Sequence, residues 1–196
     1  MVLWYHLILT AYGFWLPNDP RGSWSDFVGA WELYKFGPAT KTHEKRSLAH
    51  DPHDRAARLA AKQALKYPAV RFNEAQRIAI ANGFAQAIAE ASYQVHALCI
   101  GHDHAHLLVA RHERSIEQVA RHLKSKATMH LTREGIHPLQ QFRKNDGSVP
   151  TPWGANCWSV FIDNVDQLRN AIRYVERHPE KERLPAQSYP FIVPFV

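Results

Sequence analysis

The pentapeptide HDHAH, residues 102–106, places three imidazoles within five positions. On an extended strand side chains alternate, so His104 and His106 share one face while Ala105 points to the other. Neutral imidazole is a good ligand for divalent ions, and two on one rigid strand form half of a metal site. A His-x-His pair also describes two surface or hydrogen-bonded histidines, so a third group has to decide. His102 would complete an all-histidine set of the kind zinc accepts, but a turn at that position redirects its side chain. The other source is "RYVERH" near the C-terminus, where Tyr174 and His178 are four residues apart and share a helical face that Asn170 extends. That spacing equally suits a plain helix in which His178 complements the C-terminal dipole and Tyr174 packs at the core edge.

The elements that must position these groups are legible from periodicity. Trp4 to Thr10 reads as a first strand, after which "YGFWLPNDPRGSWSDF" breaks the pattern with Gly, Pro, Asn and Asp. Helical composition starts at Asp54. Asn73 with Gln76 forms a capping box before a second helix predicted to carry Ile78, Ala81, Ala85 and Ile88 on one face. "YQVHALCI" and "HAHLLVA" are strands joined by the turn Gly101-His102-Asp103, a hairpin. Ser115 and Gln118 cap a helix with Ile116, Val119, Leu123 and Ala127 inward and Arg121, Lys124 and Lys126 outward. "CWSVFI" reads as a last strand, and "DNVDQLRNAIRYVERH" as a helix with the core stripe Val165, Leu168, Ile172 and Val175, stopped by Pro179. Strand, helix, strand, strand, helix, strand and one more helix is the split β-α-β order of an α+β, ferredoxin-like antiparallel sheet with helices on one face. The other face of such a sheet is left for a site or a partner.

At 196 residues and 45% hydrophobic, the chain fits one domain, 1–196, with an insertion at about 11–73 and a short tail at about 185–196. Twenty-four Lys and Arg against 18 Asp and Glu give +6, and thirteen histidines add charge below neutral pH, so polyanions are natural partners. Cys99 and Cys157 are too few for a disulfide framework and have no zinc-knuckle spacing. The apolar start "MVLWYHLILTAYGFWLP" carries His6 and falls short of the roughly 20 residues that span a bilayer. It predicts a buried strand, no membrane partner and a cytoplasmic protein.

"HDHAHLLV" resembles the motif Asn/Asp-His-hydrophobic-His-Leu-Leu-Val of the single-tyrosine HUH transposases, a group that includes insertion-sequence transposases and REP-associated tyrosine transposases. "CWSVFIDNVDQLRNAIRYVERHPEKERL" resembles the second block of that family, a Trp-containing strand leading through an acidic turn to a helix that ends Tyr-x-x-x-Asn-Pro. The two blocks occur in the family order, and the resemblance covers the first strand and about residues 93–184.

The resemblance implies that His104 and His106 are metal ligands, that Tyr174, on the C-terminal helix, is the catalytic nucleophile, and that His178 supplies the third ligand where the family usually has Asn or Gln. It implies a divalent ion, Mg²⁺ or Mn²⁺, with Zn²⁺ or another softer ion admitted by the third imidazole. The implied activity is cleavage and rejoining of single-stranded DNA near hairpins through a 5′-phosphotyrosine, by a monomer or a homodimer. Arg121, Lys124 and Lys126 would contact phosphates, Trp15 and Trp24 would stack on unpaired bases, and Arg21 would touch the hairpin. His102 would be an accessory base or phosphate contact. Two other readings stay open: a domesticated hairpin-DNA-binding protein without cleavage activity, and a zinc-dependent hydrolase built on His102, His104 and His106.

Overall fold

Four strands with alternating or wholly apolar patterns pair antiparallel in the order β2-β3-β1-β4, with β1 at Trp4–Thr10, β2 at Val95–Ile100, β3 at His104–Ala110 and β4 at Trp158–Ile162. This computed structural model describes residues 2–17, 19, 28, 31–39 and 52–195. The helices are α1 Arg55–Gln63, α2 Glu74–Ala91, α3 Ile116–Arg133, α4 Val165–Glu176 and the short α5 His178–Lys181. A 3-10 turn at Trp31–Phe36 packs with α1 around Leu16, Leu33 and Ala61. The strand order and the alternation of elements are those of a ferredoxin-like α+β fold.

Alternation along the strands gives the sheet two unlike faces. Leu7, Leu9, Ala105, Leu107 and Val109 meet α2 and α3 in the main core, where Phe84, Ile80, Leu123 and Ala127 are fully buried. Each large apolar side chain removed from water there contributes about 1.5–3 kcal/mol. Ala97, Cys99, Leu108 and Ile162 face the other way, against Leu168 and Val175 of α4. The helices therefore occupy one face, and α4 covers part of the other.

Local signals set the helix ends. Both capping boxes form: Asn73 accepts from Gln76 N at 2.9 Å and Gln76 from Asn73 N at 3.0 Å, with the same reciprocal bonds between Ser115 and Gln118. The inward stripe of α2 departs from expectation, because Ile78 is 57% exposed while Ile80, Phe84 and Ala87 are buried. In so alanine-rich a helix several stripes look apolar, and the large residues Ile80 and Phe84 select the buried one. The predicted final helix also divides. α4 ends at Glu176, Arg177 caps it, and Pro179 sits in the first turn of α5, where its missing N–H costs nothing.

The chain after α5 has no regular element but is tied to the outer edge of β2. The Gln187 amide bonds both Ile100 N and Ile100 O, at 2.8 and 2.9 Å, and Val193 N donates to Val95 O at 2.9 Å. No helix among the described residues is long and apolar enough to cross a membrane.

Candidate functional site

His104 and His106 lie on the α4 face of the sheet, as their spacing requires. Register places Thr10 opposite His104 and Ile8 opposite His106 on β1, so His6, one step further, faces the same way. From the other side, the break between α4 and α5 delivers His178. His104 Nε2 and His178 Nε2 stand 2.8 Å apart, and the rings of His106 and His178 have centroids 4.3 Å apart. Ligand atoms of His104, His106 and His178 all lie within 4.8 Å of one another.

A carboxylate partner assigns the tautomer of His104. His104 Nδ1 faces the Asp103 carboxylate at 2.8 Å, an acceptor, so Nδ1 carries the hydrogen and Nε2 presents its lone pair. His106 Nδ1 shares a 2.9 Å bond with His6 Nε2, while His106 Nε2 is buried without a hydrogen-bond partner, as is His178 Nδ1. Two orphaned buried imidazole nitrogens in a cluster whose ligand atoms converge form a donor set that fits a divalent cation, and three imidazoles suit a borderline-soft one. Burial, and secondarily His178, pushes the His6 imidazole down to about 4. Burial with the neighbouring imidazoles holds His106 well below its usual value, so both rings are neutral at physiological pH.

Glu182 closes the site on the α5 side. Gly101 has no Cβ, and one there would run into the Glu182 carboxylate, so glycine lets that carboxylate lie against the β2–β3 turn. Glu182 accepts from His102 N at 2.8 Å and lies 3.4 Å from His104 Nδ1 and 3.8 Å from His178 Nε2. Burial works against its ionisation, but the His178 and His104 imidazoles and the His102 N–H outweigh it and hold the carboxyl down at about 2.

Tyr174 packs over this cluster. Its ring centroid is 5.4 Å from that of His178, 5.6 Å from His106 and 5.8 Å from His6. Lys181 Nζ sits 4.2 Å from the Tyr174 ring centroid, a cation over the phenol. Burial of the ring, then Cys99 and Glu182, raises the phenol above its ordinary value. The residue is nevertheless 40% exposed.

The other predicted residues are dispersed. His102 stays in its turn, with Nδ1 3.4 Å from Arg77 Nη1 and 3.4 Å from Phe72 O, outside both groupings of metal-ligating atoms among the described residues. On α3, Lys124 donates to Gly154 O at 2.8 Å and to Asn156 O, and burial lowers its ammonium to about 8. Lys126 bonds Glu90 at 2.7 Å. Of the three basic residues, Arg121 is the exposed one. Trp15 is half-buried, its ring 5.9 Å from Phe14 and 6.3 Å from Trp158. Arg21 and Trp24 lie outside the described residues.

Sequence reading missed His6, Asp103, Glu182 and Lys181. A lone imidazole in the apolar strand WYHLILT was the one available signal for His6. Asp103 stood at the Asn/Asp position of the HUH-like motif but drew no role, and Glu182 and Lys181 had no signal, since many exposed acids and lysines look alike in sequence.

Comparison with known proteins adds a family. The model of the IS200-like transposases matches residues 63–178, which include the hairpin, α3, β4 and α4. None of the curated proteins matches the chain. Among solved structures, a REP-associated tyrosine transposase bound to a REP hairpin is similar at 14% identity and a TM-score of 0.42. That match covers 55% of this chain and 57% of the solved chain, so this protein aligns with little more than half of that relative. With the family match extending over more than half its length and both motifs inside or beside it, the chain belongs to the IS200-like, single-tyrosine HUH transposases.

Proposed function

We propose that this protein cleaves and rejoins single-stranded DNA near hairpins through a 5′-phosphotyrosine on Tyr174, assisted by a divalent ion held by His104, His106 and His178. The observation that carries this reading is the packing of Tyr174 against His106 and His178, which converge with His104 and each keep a buried nitrogen without a partner. A bound divalent ion would neutralise charge building on the phosphoryl oxygens of the scissile phosphate.

The chain's own residues do the rest. Tyr174 Oη attacks phosphorus as the bond to the 3′ oxygen breaks. The phenolic proton leaves to solvent, and the departing 3′ oxygen takes up a proton to become a free 3′-hydroxyl. The phosphodiester becomes a phosphotyrosine of similar energy, so the reverse attack by a 3′-hydroxyl rejoins DNA without a nucleotide cofactor. Because its surroundings raise the phenol, Tyr174 rests protonated, and Lys181 over its ring favours the phenolate as it forms. Asp103 holds His104 in the tautomer that turns its Nε2 lone pair inward, and His6 orients the His106 ring.

The test is incubation of the purified protein with single-stranded hairpin DNA and Mg²⁺ or Mn²⁺, followed by denaturing electrophoresis. A covalent adduct that Tyr174→Phe abolishes while hairpin affinity persists is the expected result. Tight hairpin binding by the unaltered protein with no adduct under any divalent ion would overturn the catalytic reading in favour of a binding protein without cleavage.

A further inference from the structure

A cleft of about 180 Å³ opens beside the histidine cluster, lined by Gly13, Phe14, Arg58, Lys62, Arg71 and Asp103 among others. It is joined to the cluster through two of its walls. Asp103 faces Arg71 at 3.7 Å and His104 at 2.8 Å, and the Phe14 ring lies 5.3 Å from that of His104. Gly13, at φ +80°, brings the chain leaving β1 against Leu65 and Ala69, where a Cβ would clash, and so shapes the floor.

The charges of the cleft come mainly from α1. Arg58 and Lys62 are four residues apart and share one helical face, while fully buried Ala61 beside them anchors the helix against Leu16 and Leu33. Arg58 approaches Asp19 no closer than 4.0 Å, and its Nε is buried with no hydrogen-bond partner. Lys62 is exposed, and Arg71 keeps 61% of its side chain open despite its loose pairing with Asp103. Three cations around one small cleft, with a donor still unused, are arranged for an anion with several acceptor oxygens. The aromatic wall of Phe14 adds a stacking surface, and the pairing of cationic groove and aromatic ring is how proteins hold unpaired nucleotides.

We propose that this cleft binds the single-stranded nucleotide adjoining the cleaved phosphate, its phosphate on Arg58 and Lys62 and its base toward Phe14. This rests on the function proposed above and adds the positioning of the strand. Arg58 and Lys62 precede the family-matched residues 63–178, so the contact is one that this chain's α1 supplies.

The experiment uses the full chain, a labelled oligodeoxythymidine of about 12 nucleotides, within the span such domains cover, and fluorescence anisotropy over a salt series. Lys62→Glu is the primary variant, since it alters an exposed side chain. Arg58→Ala with Lys62→Ala is the second, and Lys144→Glu is a matched charge reversal on the turn that includes Gly147. The cleft variants should weaken binding about tenfold or more, and the double alanine variant should reduce the salt slope by about 0.7, the value for one single-strand phosphate. Lys144→Glu should stay within about twofold of the unaltered protein. Equal losses in Lys62→Glu and Lys144→Glu overturn the cleft, because net charge alone would explain them. Unchanged affinity and slope in the cleft variants, with the Tyr174 adduct still forming, overturn the cleft and leave the catalytic reading intact. Absence of any single-strand binding or adduct in the unaltered protein overturns both.

Discussion

His6 Nε2 lies 2.9 Å from His106 Nδ1, a bond between side chains a hundred residues apart on neighbouring strands. It orients His106 so that its other nitrogen, buried and unpartnered, faces the cluster. Partners of this kind typically hold metal affinity 10–100-fold above that of the unsupported ligand. His6→Ala should therefore weaken Mn²⁺ binding by about that factor in calorimetric titration, while His102→Ala leaves it unchanged. Equal affinity in His6→Ala and the unaltered protein would show that His106 is oriented by its backbone alone.

Glu90 joins α2 to α3. Its carboxylate accepts from Lys126 at 2.7 Å, from Gln86 at 2.8 Å and from His122 at 3.1 Å, and these bonds, Lys126 foremost, hold it down at about 2 against an ordinary 4.5. A carboxylate with a depressed folded value contributes stability that is complete above its unfolded value and disappears as pH falls through the folded one. Urea denaturation from pH 5 to pH 2 should thus show a shallower loss of stability for Glu90→Gln. Parallel curves for the two proteins would mean that the Lys126 pair adds nothing to folding.

Gln187 completes the edge of the sheet. With its amide removed, Ile100 N and O at the end of β2 lose both partners, and Ile100 is fully buried. Gln187→Ala should destabilise the fold by about 1–3 kcal/mol, the cost of leaving buried backbone groups unbonded, as read from the midpoint of chemical denaturation. A variant as stable as the unaltered protein would indicate that water replaces the amide.

Much of this fold is a local matter. Periodicity assigned the four strands, the capping boxes at Asn73 and Ser115 started α2 and α3, and alternation put His104 and His106 on one face, because each of these depends on residues within a turn or a strand of one another. Family-specific spacing added Tyr174 and His178, and the structure brings both to the two strand histidines. The division of α4 from α5 at Arg177 was not legible, since Pro179 marks a helix boundary without saying whether a new turn begins.

What tertiary structure decided is the company those residues keep. His6 joins His106 only because β1 lies between β3 and β4, a consequence of strand order that no local pattern encodes. Glu182 and Lys181 reach the site because the chain reverses after α4, and Glu182 fits because Gly101 leaves room. Lys124 and Lys126, outward by helical period, are drawn into bonds with the loop at 154–156 and with Glu90. The sequence by itself determined that His104 and His106 share a face, the nucleophile candidate and the order of elements. Packing across long separations determined which donors converge and which charges remain open to a substrate, because burial and pairing depend on neighbours that meet only in three dimensions.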